Sequence, residues 1–216
     1  MEMMQALIQY ILHVDVYLNA FVSQYGSFTY LVLFAIIFCE TGLIIMPFLP
    51  GDSLLFTAGS IAANSNSHLN IQLLFLLLII ASTLGNKLNY LIGRITGPRV
   101  FQARDSWLLN KKHLLEAHAF YEKHGGKTII FARFLPIIRT FVPFVAGIGA
   151  MNLKQFSLFN IMSAILWIGS LLAAGYFLGS IPLIKNNFSM VIYGIIAISF
   201  LPVAATFLYR KTFVNA

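Results

Sequence analysis

The chain has 216 residues, of which 59% are hydrophobic and only 10% are charged, with a mean hydropathy of +0.83. A soluble globular domain carries about 25% charged residues, so this composition excludes an ordinary soluble protein and indicates a single polytopic membrane domain. Eight basic and three acidic residues fall in 87–127, between apolar blocks, which predicts a cytoplasmic loop by the positive-inside rule. No platform of basic and aromatic residues lies outside the apolar blocks, so we expect no nucleic-acid partner.

Residues 1–27 have apolar side chains at helical spacing, with two acids and no lysine or arginine. The pattern predicts an amphipathic helix, and the sequence leaves open whether it lies at the membrane interface or forms a short first span. The segment lacks the basic region and the small-residue cleavage site of a signal peptide, so we expect it to be retained.

Residues 28–63 form an apolar block that is too long for one straight span, since the hydrocarbon core of about 30 Å needs about 20 helical residues. Pro47, Pro50 and Gly51 interrupt this block. We therefore predict a re-entrant helical hairpin, which requires protein or water to cover its broken backbone. A transmembrane helix over 71–93 follows, and then a basic cytoplasmic loop over 94–127 that contains a second amphipathic helix.

A second broken block occupies residues 128–151 and includes FARFLPIIRTFVPFVAG, in which Pro136, Pro143 and Gly147 predict hairpin breaks. Transmembrane helices are predicted over 156–179 and 188–209. The basic pair at 210–211 indicates a cytoplasmic C-terminus.

The two broken blocks resemble each other, since FLPGDSLLFTAG at 48–59 corresponds to FLPIIRTFVPFVAG at 134–147. Each block follows an amphipathic helix and precedes a span, and the charge distribution gives the two halves opposite orientations. The predicted fold is an all-α polytopic membrane protein, in which two oppositely oriented re-entrant hairpins form an inverted repeat and one C-terminal span is added. Inverted repeats with broken helices are typical of transporters.

Four charged residues lie inside the apolar blocks: Glu40 and Asp52 in the first, Arg133 and Arg139 in the second. A charge costs about 2.5–3.5 kcal/mol at the centre of a membrane helix, so these groups should face a cavity or one another. Structural ion pairs between the hairpins are one interpretation. We favour a functional site, because buried pairs are often no more stabilising than apolar replacements. Arginine suits phosphate, whereas a carboxylate can carry a proton, so we predict substrate-binding arginines and proton-coupling acids.

Neither a metal nor a cofactor is expected, because Cys39 is the only cysteine and the histidines are scattered. Neither hairpin contains the histidine that a lipid phosphatase would need, so we predict that the chain is not an enzyme. Lys87 is interpreted as reaching the cytoplasmic surface, and Trp107 and Trp167 as interface or packing residues.

The sequence resembles the DedA family of bacterial inner-membrane proteins, which share their core domain with lipid scramblases of the eukaryotic endoplasmic reticulum. The resemblance covers nearly the whole chain and is carried by FCETGL, PFLPGDSLLF, YEKHGGKTIIFARFLPIIRTFVPFVAG and LW…AGYFLG. It implies two facing re-entrant hairpins with essential charges at Glu40, Asp52, Arg133 and Arg139. It also implies transport of lipid phosphates, notably undecaprenyl phosphate and in some members phosphatidylethanolamine. One departure is Asn86, which stands where many members have an acid.

The leading hypothesis is a multi-pass inner-membrane flippase, coupled to protons, for undecaprenyl phosphate or a related phospholipid. The alternatives are a proton-coupled antiporter of small cations or drugs that supports the membrane potential, and a membrane scaffold that transports nothing. The sequence leaves open the lipid, the direction of transport, the coupling ion and self-association into a homo-oligomer.

Overall fold

The computed structural model describes residues 14–43, 51–64, 67–102 and 125–179, together with the separate positions 181, 184, 190, 191 and 194. Helices, turns and short loops account for these residues, with no strand among them, which confirms the all-helical prediction for this part of the chain. The helices of the four continuous ranges are α1 (Val14–Tyr25), α2 (Phe28–Gly42), α3 (Gly51–Ala62), α4 (Ile71–Gln102), α5 (Lys127–Ala132), α6 (Pro136–Ile148) and α7 (Leu153–Leu178).

Several predicted features lie outside the described residues. They are the start of the N-terminal helix, the first hairpin break with Pro47 and Pro50, the amphipathic helix of the basic loop, and the C-terminal end of the chain. Most of the span predicted over 188–209 is outside them as well.

The two long helices, α4 and α7, begin in the same way. The Oδ1 atom of Asn70 accepts a hydrogen bond of 2.9 Å from the backbone N–H of Gln72, and the Oδ1 atom of Asn152 accepts one of 2.9 Å from that of Lys154. Asparagine is among the preferred N-cap residues, because its side-chain oxygen satisfies an N–H group that has no partner within the helix. These caps fix where both helices start.

Both long helices contain a stretch that is long and apolar enough to cross a membrane, Ile71–Gly97 and Leu153–Leu178. Large apolar side chains remain exposed along them, such as Leu76 and Leu166, which is typical of a lipid-facing surface. Helix α4 continues beyond the span predicted over 71–93, so that residues 94–102 are also helical. The extension has a packing reason, because Gly97 lies against Ile148 of α6.

The chain divides into two compact units, each described by itself. The first contains Leu49–Leu76 together with the chain before Phe34 and after Trp167, and the second contains Phe34–Phe48 and Leu77–Trp167.

In the first unit, α1 packs against α3, and α3 meets the end of α7 through glycines. A Cβ atom on Gly59 would overlap the carbonyl of Leu172, and one on Gly175 would overlap the carbonyl of Phe56. Only glycine allows two helix backbones to approach this closely, as in the small-residue interfaces of membrane helices.

In the second unit, α6 meets the end of α4 through the same arrangement. A Cβ atom on Gly147 would overlap the carbonyl of Tyr90, and one on Gly93 would overlap the carbonyl of Phe144. The FTAG of α3 and the FVAG of α6 therefore make equivalent contacts. Each of these two helices packs on the long helix that belongs to the other repeat, so the repeat in the sequence is also a repeat of contacts.

Candidate functional site

The second broken block contains a break where the sequence predicts one. Helix α5 ends at Ala132 and α6 begins at Pro136, with Leu135 between them in an extended conformation at φ −111° and ψ 107°. Proline suits the first position of a helix, because the N–H group that it lacks would have no partner there. The break places Arg133 at the end of α5 and Arg139 one turn into α6.

The other residues predicted as breaks are distributed differently. Pro143 and Gly147 lie inside α6, so the helix continues through both, and the prediction of a break at these two positions is wrong. A proline inside a helix removes one N–H donor, but the helix can continue past it. Gly147 is required instead for the contact with α4. Gly51 is the first residue of α3.

Arg139 forms a buried ion pair with Glu40, which lies in the last turn of α2. The Nη2 group donates to Oε1, and the side chains are 7% and 0% exposed. Each charge lies near the end of its own helix where the helix macrodipole disfavours it, since the positive end of the dipole is at the N-terminus. Pairing between the two helices compensates both charges.

Arg133 is also buried, at 3% exposure, but its partners are neutral. Its Nη1 group donates to Asn160 Oδ1 at 3.1 Å and to Ser163 Oγ at 3.0 Å. The Nε and Nη2 groups have no hydrogen-bond partner among the described residues. The N–H groups of Nε and Nη2 form one edge of the guanidinium plane, the side-on fork that binds two oxygens of a carboxylate or phosphate.

Trp167 of α7 links the two arginines. The guanidinium carbon of Arg133 lies 5.2 Å from the centroid of its ring, and that of Arg139 lies 5.0 Å from it. Both distances are within the range of a cation–π interaction. The ring is 2% exposed, so Trp167 is a buried packing residue rather than an interface residue. Asn160, Ser163 and Trp167 are spaced so that one face of α7 carries all three.

The side-chain amide of Asn89 bonds to the backbones of both α2 and α6. The Nδ2 group of Asn89, on α4, donates to the carbonyl of Thr140 at 2.7 Å and to that of Thr41 at 3.4 Å. These carbonyls belong to the residues that directly follow Arg139 and Glu40. Asn89 therefore ties together the two backbones that present the ion pair.

Asn86 lies one turn before Asn89 on α4 and beside Arg133. In one orientation its amide donates to Asn160 Oδ1 at 2.9 Å. In the opposite orientation it accepts from Arg133 Nη1 at 2.8 Å and donates to the Thr41 carbonyl at 3.2 Å. Both orientations place a neutral amide beside Arg133.

Three of the four predicted site residues come together in the second unit: Glu40, Arg133 and Arg139. We call these three the charged cluster, and their formal charges give it a net charge of +1. Asp52 lies in the first turn of α3 and belongs to the first unit. Lys87 is exposed and is not part of the cluster.

Sequence reasoning assigns no role in the site to the neutral side chains that surround the cluster, although it singles out Asn86 and Trp167. A signal was available, because polar residues recur on one face of two otherwise apolar helices: Asn86 and Asn89 on α4, and Asn160, Ser163 and Trp167 on α7. No three His, Cys, Asp or Glu side chains come together as metal ligands would in the part of the chain that the structure describes.

Comparison with known proteins gives consistent results. The VTT domain model matches residues 49–177. Protein DedA of Escherichia coli is 48% identical over 202 residues, which cover 94% of this chain and 92% of that protein. An uncharacterized membrane protein of Mycobacterium leprae is 44% identical over 82% of this chain and 79% of its own length. Inner membrane protein YqjA of Escherichia coli is 37% identical over 84% and 81%. No solved structure matches.

Proposed function

The chain belongs to the DedA family of membrane proteins, and from this membership and the buried arginines we propose that it is a lipid-phosphate flippase. Its substrate is undecaprenyl phosphate or a related phospholipid of the bacterial inner membrane. The charged cluster binds the phosphate group, and proton uptake by Glu40 accompanies this binding.

One observation carries the proposal, the side-on fork of Arg133. Two adjacent N–H groups of this buried guanidinium have no partner among the described residues. Such an arrangement is unfavourable, because each buried donor without a partner costs about 1–3 kcal/mol, and more when it is charged. An oxyanion with two acceptor oxygens would satisfy both donors at once. The nearby Arg139 and the N-terminal end of α6 add positive potential in the same region.

The charge of the cluster gives a reason for coupling to protons. A phosphate monoester carries about −1.5 to −2 charges at pH 7. A dianion would change the net charge of the cluster from +1 to −1, and protonation of Glu40 would then bring it to zero. Because net charge inside a membrane is costly, the loaded cluster is favoured when it has taken up one proton. Asp52 is proposed as a second proton-coupling group.

The helix lengths support the proposed arrangement in the membrane. Helices α2 and α6 have 15 and 13 residues, whereas a full span needs about 20. We propose that α2 with α3, and α5 with α6, form two re-entrant hairpins of opposite orientation. In this arrangement α4 and α7 span the membrane, and the C-terminus is cytoplasmic.

The alternative of a cation antiporter places the substrate on Glu40. The carboxylate of Glu40 is paired with Arg139. A substrate cation would therefore have to displace the Arg139 guanidinium, which is part of α6, from this carboxylate. Oxyanion binding needs no such exchange at Arg133. We therefore favour lipid phosphate over small cations as the substrate.

The experiment is leaflet exchange of a fluorescent short-chain polyprenyl phosphate in liposomes that contain the purified protein. We expect exchange to fall by at least tenfold in Arg133→Ala and in Arg133→Lys, because lysine supplies one point charge instead of a fork. Lys154→Ala is the matched control, since it removes an exposed positive charge from α7 outside the cluster, and it should behave as wild type.

Exchange at the wild-type rate in both Arg133 variants would refute the proposal. Proton-linked cation flux that depends on Glu40, in the same liposomes and without lipid exchange, would establish the antiporter instead. If the liposomes show neither lipid exchange nor cation flux, and all variants are fully functional in cells, the scaffold alternative would be supported.

A further inference from the structure

We propose that Trp167 is a positioning residue that holds Arg133 and Arg139 at the spacing needed to bind one phosphate group. The inference rests on the proposed function. It adds an aromatic residue, and a means of observing ligand binding, to a site otherwise described by its charges.

The guanidinium groups of Arg133 and Arg139 both contact the ring of Trp167. Their carbons lie 5.2 and 5.0 Å from the centroid of Trp167, and all three side chains are buried. Two cations that contact one ring repel each other, and of the two only Arg139 forms an ion pair with a carboxylate of the described residues, that of Glu40. The face of an indole ring attracts cations, more strongly than that of tyrosine or phenylalanine, so the ring offsets part of this repulsion.

Trp167 acts together with the residues that anchor Arg133. Asn160 and Ser163 hold its Nη1 group, and they lie on the same face of α7 as the ring. These contacts leave the Nε and Nη2 groups available, on the edge that would meet an oxyanion. One face of α7 therefore fixes the position of the guanidinium and leaves its binding edge unoccupied.

The side chain at position 167 determines how strongly the two cations are attracted to it. Substitution by leucine would keep an apolar group in the core but remove the attraction to both cations. Phenylalanine keeps an aromatic face with a weaker attraction. We therefore expect phosphate affinity to decrease in the order wild type, Trp167→Phe, Trp167→Leu, with a loss of about tenfold for the leucine variant. A purely structural role predicts instead that affinity follows the thermal stability of the variants.

The chain has only two tryptophans, Trp107 and Trp167, so a Trp107→Phe protein reports the fluorescence of Trp167 alone. We would titrate this full-length protein in detergent with dodecyl phosphate and use dodecyl maltoside additions as the blank. A saturable change in the emission of Trp167 is expected, since a phosphate on the arginines alters the field at the ring. The change should disappear in Trp107→Phe/Arg133→Ala and persist in Trp107→Phe/Lys154→Ala.

Calorimetric titration of dodecyl phosphate into Trp167→Phe and Trp167→Leu separates the two proposals. Binding that depends on Arg133 but is equally tight in wild type and both Trp167 variants would overturn the role of Trp167 and leave the proposed function standing. No binding to wild type by either method would overturn the proposed function itself. If Trp167→Leu does not fold, the fluorescence of Trp107→Phe and the affinity of Trp167→Phe decide the question: an unchanged emission at saturating dodecyl phosphate refutes the inference.

Discussion

The ion pair between Glu40 and Arg139 allows a double-mutant cycle that separates stability from transport. Glu40→Gln leaves a buried guanidinium without its carboxylate, and Arg139→Gln leaves a buried carboxylate without its guanidinium. Removing one partner of a buried pair costs about 3–5 kcal/mol, whereas replacing both partners by neutral groups is often close to neutral. Both side chains are nearly inaccessible to solvent, so the full range applies to each single variant.

For a chain of this size, 1 kcal/mol corresponds to about 2–4 °C in Tm. Each single variant should therefore unfold about 6–20 °C below wild type, as followed by size-exclusion chromatography of heated detergent samples. The double variant Glu40→Gln/Arg139→Gln should recover at least half of that loss, since the two neutral amides can bond to each other. Its lipid exchange should nevertheless stay at the background level, because Arg139 is proposed to bind phosphate.

Additive destabilisation, with the double variant losing as much as the two single variants together, would show that the two charges do not interact and would refute the argument from burial. Exchange at the wild-type rate in a stable double variant would contradict the role of the pair in transport. Lys87→Gln, at an exposed position of α4, is the control for loss of a charge and should leave both quantities unchanged.

Three further predictions test the surroundings of the cluster. Asn160→Asp should place a carboxylate against Arg133 Nη1, on the side of the guanidinium away from the proposed phosphate edge. Its negative charge should neutralise the attraction of Arg133 for phosphate and lower lipid exchange by about tenfold or more. Exchange equal to wild type would argue against a phosphate at Arg133. Asn89→Ala removes the donor of the 2.7 Å hydrogen bond to the Thr140 carbonyl and should lower the free energy of unfolding by about 1–3 kcal/mol, measured as a decrease in Tm. Asn152→Ala removes a helix cap and should cause the smaller loss of about 1 kcal/mol. Gly147→Ala and Gly59→Ala should each destabilise the protein by about 1–3 kcal/mol, because the new Cβ would overlap a helix backbone. Gly194→Ala is the control, since its Cβ would have no atom of the described residues within 4 Å, and it should cause no such loss. Equal Tm values for all three variants would refute the close approach of the helices.

The charged residues of the cluster could be predicted from the sequence because charge inside an apolar block is rare and therefore informative. Glu40, Arg133 and Arg139 are found together for the reason that the sequence suggests, since each is too costly to leave facing lipid. The pairing itself could not be predicted, because an acid and two arginines allow more than one combination. Composition and spacing carry no information about which arginine Glu40 contacts.

The neutral part of the site was harder to predict for a different reason. Asparagine and serine occur in membrane helices at low cost and for many purposes, so Asn89 and Ser163 do not stand out against an apolar background. The sequence predicts only a packing or interface role for Trp167, because tryptophan is common at both kinds of position. Ser163 and Trp167 lie on one face of α7. The sequence does not reveal that this face contacts Arg133.

The end of α4 also shows where pattern reasoning stops short. The apolar pattern that predicts a span over 71–93 ends with the lipid-facing residues, but the helix continues because Gly97 packs on Ile148 of α6. Such a contact between distant parts of the chain leaves no trace in local hydropathy. At Pro143 the sequence predicts a break because proline often ends a helix, but the structure accommodates this proline within α6.

The glycine contacts of α3 and α6 have a consequence for the order in which the protein is made. Helix α6 emerges from the ribosome after its partner, the end of α4, so Gly147 can dock against Tyr90 as soon as it is synthesised. Helix α3 is made early, but the backbone that receives Gly59 belongs to Leu172 and is among the last parts of the described chain to appear. Helix α3 must therefore remain with Gly59 uncovered until α7 has been made. A truncation before α7 would leave Gly59 without this contact permanently.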